Sequence, residues 1–482
     1  MSEKLSLKTK IAYGLGDLYG GGAFIIIGTY YLYFLTDILR INPALAGTVI
    51  MVSKIWDAVT DPIMGVISDR TRTRFGRRRV YFLAGIPFIF LSFFLMWYPV
   101  SFASEIQRFI YAILTYMFFT TVATMVMVPY NALAPELTID YNERISLTSF
   151  RMLFSMVSSI FCAILPLEIV KRFDSPLKGY TAMASFFGVF FAVPFIFTFA
   201  LTFERPDFWK KQSKFSFKET FIEPFKNRSF VYVLLMYLFS FLTMDVIMSI
   251  LIYFMTYYLN KGHITNLALG TLLIAEVLVI PFWSAVGRRL GKKTAFIFGL
   301  LIWIIVMLFS FAITPDSPTF VAFLFAAAVG IGTSAVIIMI YSIFADVPDI
   351  DELESGQRRE GIFSGLFTFM RKMSSAVGIF LISNIVAAAG YVPPREEIID
   401  GVKRIIQQPQ SQTFIMILRF VFALLPIGLL LLSLFFTLKY PLTKSIHDRL
   451  KQILELKRKN EKLSQELRAE ELYLKRILLG KG

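Results

Sequence analysis

The chain has 482 residues, 56% of them hydrophobic, 16% aromatic and only 17% charged, where a soluble domain of this size carries about 25% charged residues. Its net charge of +15 does not make it a nucleic-acid binder, because the Lys and Arg fall between long apolar stretches rather than on one face of a soluble fold. One cysteine, Cys162, and two histidines, His263 and His447, exclude an intrachain disulfide, His-ligated metal sites and Ser–His or Cys–His catalysis.

In chain order, the first ten residues, MSEKLSLKTK, are polar and run into a long apolar segment, which is not the pattern of a short cleavable signal. Apolar runs of about 20 residues, enough to cross a hydrocarbon core of about 30 Å, then recur to the end of the chain. They predict an all-α membrane protein of twelve transmembrane helices. The first six are Ile11–Leu39, Ala44–Ser68, Val80–Pro99, Phe109–Leu133, Leu147–Val170 and Met183–Phe203. After a polar stretch come Phe230–Leu259, Leu267–Val286, Thr294–Ile313, Thr319–Phe344, Phe363–Ala389 and Phe414–Leu438. With the N-terminus inside, cytoplasmic loops hold about 23 Lys and Arg against about 9 in the opposite loops. That bias puts both termini in the cytoplasm of a multi-pass protein of the cell membrane.

Two sixes imply two halves: residues 1–203, a cytoplasmic linker at 204–228, a second half at 229–440 and a charged helical tail at 441–482. A faint echo supports them. Arg74-Phe-Gly-Arg-Arg78 closes the second span, and Arg289-Leu-Gly-Lys-Lys293 closes the eighth. Paired six-helix halves bind substrate between them near the bilayer midplane. The tail carries a partial stripe, Ile446, Leu450, Ile453, Leu456, Leu463, Leu467 and Leu474, broken at Lys457 and Asn460. It reads as a solvated or membrane-skimming helix rather than a coiled coil.

Ionisable residues inside spans are costly and mark function. The second span is richest, with Lys54, Asp57 and Asp61 at i, i+3 and i+7 and Thr60 beside them. Two carboxylates one turn apart repel, so one is protonated or a cation sits between them. Carboxylate and hydroxyl oxygens suit a hard cation such as Na⁺. The competing reading is a structural pair between Lys54 and Asp57. Arg151 opens the fifth span, Asp245 and Glu276 lie in the seventh and eighth, and Arg371 and Lys372 lie in the eleventh. Arg151 and Lys372 suit a polar substrate or a gating pair, and snorkelling is the alternative for each. No catalytic constellation is present, which speaks against an enzyme; a channel or receptor would share the spans without matched halves.

Several motifs are similar to those of a known family. They are Tyr13-Gly-Leu-Gly16, Trp56-Asp-Ala-Val-Thr-Asp-Pro62, Arg74-Phe-Gly-Arg-Arg78, Val128-Pro-Tyr-Asn-Ala-Leu133 with Glu143-Arg144, and Ala345-Asp-Val-Pro-Asp349 with Arg358-Arg-Glu360. In this order they resemble the glycoside–pentoside–hexuronide:cation symporters, the melibiose-permease-like family of the major facilitator superfamily. The resemblance implies the major facilitator fold and a symporter of sugars or glycosides working by alternating access, with Na⁺, Li⁺ or H⁺ as coupling cation and no other cofactor. By position it gives Asp57, Asp61, Thr60 and Thr124 to the cation, which would be a metal ion on Asp57 and Asp61 if sodium is used. It gives Arg151, Lys372, Tyr130 and Asn131 to substrate binding or coupling. Two carboxylates that hold galactosyl hydroxyls in the family fall on Gly21 and Met127 here, and a stacking tryptophan falls on Asn131. The second-span motif is also similar to sodium-dependent lysophosphatidylcholine symporters, which makes a lysolipid the alternative substrate. The expected partners are thus a small solute and membrane lipid.

Overall fold

The computed structural model describes residues 4–138, 140–204, 223–355, 360–399, 402–458 and 464–480. Arg358, Arg359, Leu463 and most of the 204–228 linker lie outside them. The described residues are helical apart from one antiparallel hairpin, β1 (Arg395–Ile399) and β2 (Val402–Ile406), with Arg395 opposite Ile406. Ten helices are long and apolar enough to cross a membrane. An eleventh span is the bent pair α9 (Thr265–Leu278) and α10 (Ile280–Leu290), whose segments meet at 42°. Pro281, at the first turn of α10, cannot donate a backbone hydrogen bond across that break. The twelfth is α3 (Pro43–Arg70), 28 residues long and kept from looking apolar by Lys54, Asp57 and Asp61. Twelve spans therefore match the sequence expectation. The hairpin, between the last two of them, was not anticipated.

The chain forms two compact units. One holds residues 1–213 with 248–270 and 376–419. It contains α1 (Leu7–Leu15), α2 (Asp17–Ile26), α3, α4 (Arg79–Trp97), α5 (Glu105–Leu137), α6 (Tyr141–Val170) and α7 (Pro176–Leu201). Helix ends follow local chemistry. Asn42 accepts from Ala44 N ahead of Pro43, and Asp140 accepts from Glu143 N at the start of α6, each satisfying an N–H that a helix start leaves open.

The other unit holds residues 214–247, 271–375 and 420–482. Its elements include most of α8 (Arg228–Tyr253), α10, α11 (Lys292–Phe309), α12 (Thr319–Phe344), α13 (Val347–Ser355), the first half of α14 (Glu360–Ala388) and most of α15 (Gln412–Lys439). The tail is two helices rather than one, α16 (Lys444–Arg458) and α17 (Gln465–Leu479). They pack on each other and on α13. Leu450, Ile453 and Leu474 of the expected stripe are buried there, joined by Leu454 and Leu478. The tail helices bury these side chains against the unit instead of lying free in solvent, and Ser229 Oγ donates to the Leu478 carbonyl at 2.6 Å.

A second internal echo is visible in the first unit. After α2 the helix closes in a π-turn over Phe34–Ile38, and Arg40 takes φ 54°. After α8 it closes in a π-turn over Phe254–Tyr258, and Asn260 takes φ 54°. The sequences match as Tyr33-Phe-Leu-Thr-Asp-Ile-Leu39 and Tyr253-Phe-Met-Thr-Tyr-Tyr-Leu259. Within this unit the two turns meet: Tyr257 donates to the buried Asp37 carboxylate at 2.5 Å, and Thr36 Oγ1 lies 2.6 Å from the Tyr253 hydroxyl. Tyr391 adds a third phenol, 3.0 Å from that of Tyr257.

Candidate functional site

Asp57 and Asp61 sit one turn apart on α3, which packs along α5. Thr124 of α5 reaches both: its hydroxyl lies 2.9 Å from Asp57 Oδ1 and 2.9 Å from Asp61 Oδ1. A hydroxyl has one proton, so it donates to one carboxylate at a time. Asp57 is 6% exposed and Thr124 4%. Three of the four residues read as cation ligands are thus brought onto one point. Thr60 is not. Its hydroxyl donates back to the Asp57 carbonyl at 3.1 Å, the i−3 bond that a helical Thr commonly makes.

Two further groups belong beside this point. Ser53, one turn before Asp57 on α3, is fully buried, and its Oγ lacks a hydrogen-bond partner. Tyr19, also fully buried with an unpartnered hydroxyl, feels the Asp57 charge. Buried polar atoms are rarely left unpaired unless something else binds there. Ser53 was legible from its i−4 spacing to Asp57; Tyr19, from another helix, was not. Among the described residues no group of three or more His, Cys, Asp or Glu converges. The donor set is oxygen from two carboxylates and neutral hydroxyls, which favours a hard monovalent cation or a proton over a transition metal.

Arg151 of α6 is the centre of a second polar group. Its Nε lies 3.2 Å from Asp17 Oδ1, and its guanidinium stands 5.5 Å above the Tyr130 ring. Tyr130 in turn stacks on Tyr13 at 4.6 Å and donates its hydroxyl to the Tyr13 carbonyl at 2.6 Å. Tyr130 is completely buried, so its role here is to carry Arg151 rather than to offer a free hydroxyl. Asn131, one residue on, is exposed. Sequence reasoning missed Asp17, although it directly follows Gly16 of the first motif. No acid fits at Gly21, because a Cβ there would meet Ser155 Oγ and stand 2.7 Å from the Ser155 carbonyl. The glycine lets α2 and α6 pack backbone to backbone, as small residues do between membrane helices. The carboxylate sits one turn earlier instead, paired with Arg151.

In the other unit Arg371 of α14 holds Asp245 of α8 in a two-pronged pair, 2.5 and 2.9 Å, over the Phe241 ring at 4.9 Å. Such a fork is the strong form of ion pairing. Glu276 accepts from Thr333 Oγ1 at 3.2 Å. Lys372 follows Arg371 on α14 and is half-buried.

The model of the family described as MFS/sugar transport protein matches residues 12–444. The chain belongs to that family. It is a transporter and not an enzyme, and a multi-pass membrane protein. Membership bears out the melibiose-permease-like resemblance read from the motifs. A symporter of Synechocystis is 29% identical across 95% of this chain and 98% of its own length. The isoprimeverose transporter of Lactiplantibacillus pentosus is 28% identical over 80% of each. The sodium-dependent lysophosphatidylcholine symporter 1 of Gallus gallus is 25% identical over 97% of this chain and 91% of its own. Among solved structures, the partially occluded, inward-open xylose transporter of Escherichia coli superposes with a TM-score of 0.61 at 12% identity, covering 91% of this chain and 98% of that one. That likeness establishes the major facilitator fold.

Proposed function

We propose that this chain is a cation-coupled symporter of a sugar or glycoside, working by alternating access, with Na⁺ or H⁺ as the coupling ion. The observation that carries the reading is the convergence of Asp57 and Asp61 on the single hydroxyl of Thr124. Two carboxylates and one shared proton donor make a site whose charge is met by a mobile cation, and a site met that way links ion occupancy to the geometry of α3 and α5. Lys372 is assigned to coupling by its position in the family, and Arg151 to the solute. The two termini are assigned to the cytoplasm by loop charge. Two six-helix halves, 1–203 and 229–440, remain the natural division, and the paired π-turns at Phe34–Ile38 and Phe254–Tyr258 support it.

The solute reading follows from Asp17 and Arg151. A carboxylate and a guanidinium side by side over an aromatic ring offer both acceptor and donors to sugar hydroxyls, which lose affinity when left unpaired. Because Asp17 already offsets Arg151, an anionic solute is less favoured than the sequence alone suggested. The lysophosphatidylcholine relative motivates a lysolipid as the second reading. Competition separates them. Uptake of a labelled pentoside should be inhibited by other pentosides and glucuronides. Inhibition by lysophosphatidylcholine below its micellar concentration, with no effect of any glycoside, would replace the sugar reading with the lipid one.

A further inference from the structure

The two basic loops that echo each other in sequence are finished differently. In the first, Glu204, just past the end of α7, folds over the start of α4. Its carboxylate accepts from the backbone N–H groups of Arg77, Arg78 and Arg79 at 2.8, 2.9 and 2.8 Å. The first turn of a helix leaves its N–H groups unpaired and carries partial positive charge, so a carboxylate is its natural cap. Glu136 then takes the Arg77 and Arg78 side chains.

In the second loop the side-chain half of this arrangement is kept: Lys292 meets Asp346 at 2.7 Å, as Arg78 meets Glu136. The cap is gone. The stretch past the end of α15, Tyr440–Thr443, contains no acid, and no side chain caps the start of α11 at Gly291. A cavity of about 350 Å³ lies there instead. Arg288, Lys292, Lys293 and Lys444 line it against Asp346 and Asp448, leaving the wall net positive. Tyr440 lines it too. Tyr440 is 1% exposed, yet its hydroxyl has no hydrogen-bond partner. A buried phenol without an acceptor, beside an uncapped 18-residue helix and four cations, describes a missing anion.

We propose that this cavity binds a phosphate-bearing anion, whose oxygens take at the first turn of α11 the place that the Glu204 carboxylate takes at α4. Phosphate chemistry fits because tetrahedrally arranged acceptor oxygens reach the α11 N–H groups, the Tyr440 hydroxyl and the lysine and arginine side chains at once. The source is either a lipid headgroup or a free phosphate compound. The site is separate from Asp57, Asp61 and Arg151, so it stands whether or not cation coupling does.

The test uses the full-length purified chain. Inorganic phosphate is titrated in thermal unfolding against sodium chloride at equal ionic strength, since a ligand of the native state raises the melting temperature with saturation. In parallel, the chain is released for native mass spectrometry from nanodiscs of phosphatidylglycerol and phosphatidylcholine. Saturable stabilisation by phosphate, with at least a fivefold weaker apparent Kd in both Tyr440→Phe and the exposed-site variant Arg288→Gln, supports the site. Thr443→Glu, which returns a carboxylate to this stretch, should remove the response. Retained phosphatidylglycerol that inorganic phosphate displaces identifies a headgroup; phosphate stabilisation without retained lipid identifies a free anion. No response to phosphate and no retained phosphatidylglycerol overturns the proposal, as does equal binding by wild type, Tyr440→Phe and Arg288→Gln.

Discussion

Two carboxylate clusters in this molecule solve the same problem in opposite ways. Asp245 is gripped by both prongs of Arg371. The charge is answered by a fixed partner with matching geometry, and the pair braces α8 against α14. Asp57 and Asp61 instead converge on the neutral hydroxyl of Thr124, which has one proton for two acceptors. The first arrangement is complete as it stands. The second is completed by something that comes and goes, and this difference separates a brace from a coupling site.

Substitutions should expose the contrast. The largest functional effect is expected at the coupling site: Asp57→Asn or Asp61→Asn should abolish gradient-driven accumulation while leaving the melting temperature at or above that of wild type, because each removes like-charge repulsion. A matching drop in thermal stability would reclassify the pair as structural. Arg371→Leu should behave in the reverse sense. Leaving Asp245 without its guanidinium costs on the order of 3 kcal/mol, read as lost thermal stability, and Asp245→Leu added to it should recover most of the loss. Failure of that double variant to recover would show that the pair is not a self-contained brace.

Smaller effects sharpen the site itself. Thr124→Ala removes the one hydroxyl shared by both carboxylates and should raise the half-saturating cation concentration about tenfold, equivalent to the ~1.4 kcal/mol of one good hydrogen bond to a charged group. Thr60→Ala should change it by less than about twofold, since that hydroxyl is bonded to the Asp57 carbonyl. Equal effects of the two substitutions, measured by cation titration of uptake, would put Thr60 back among the ligands.

How far the sequence carried can be read from these residues. The spans, the α3 carboxylates and Thr124 were legible because cost enforces pattern: a charge in a membrane helix is conspicuous, and helical spacing puts Asp57 and Asp61 on one face. Asp17 escaped because attention fell on Gly21, where packing against Ser155 forbids a side chain and moves the acid one turn away. Tyr19 and the Asp37–Tyr257 contact escaped because they join distant segments, although the Tyr33–Leu39 and Tyr253–Leu259 repeat was present to be found. The tail was misjudged as one solvated helix since nothing local shows that Leu450 and Leu478 have a surface to bury against.

The central claim is that solute movement is linked to a cation at Asp57 and Asp61. It is tested most directly by reconstituting the chain in proteoliposomes and imposing an inward Na⁺ or H⁺ gradient with a labelled pentoside outside. The account predicts accumulation above the external concentration that collapses when an ionophore dissipates the effective gradient. Transport that stops at equal concentrations, unchanged by either gradient, would contradict it.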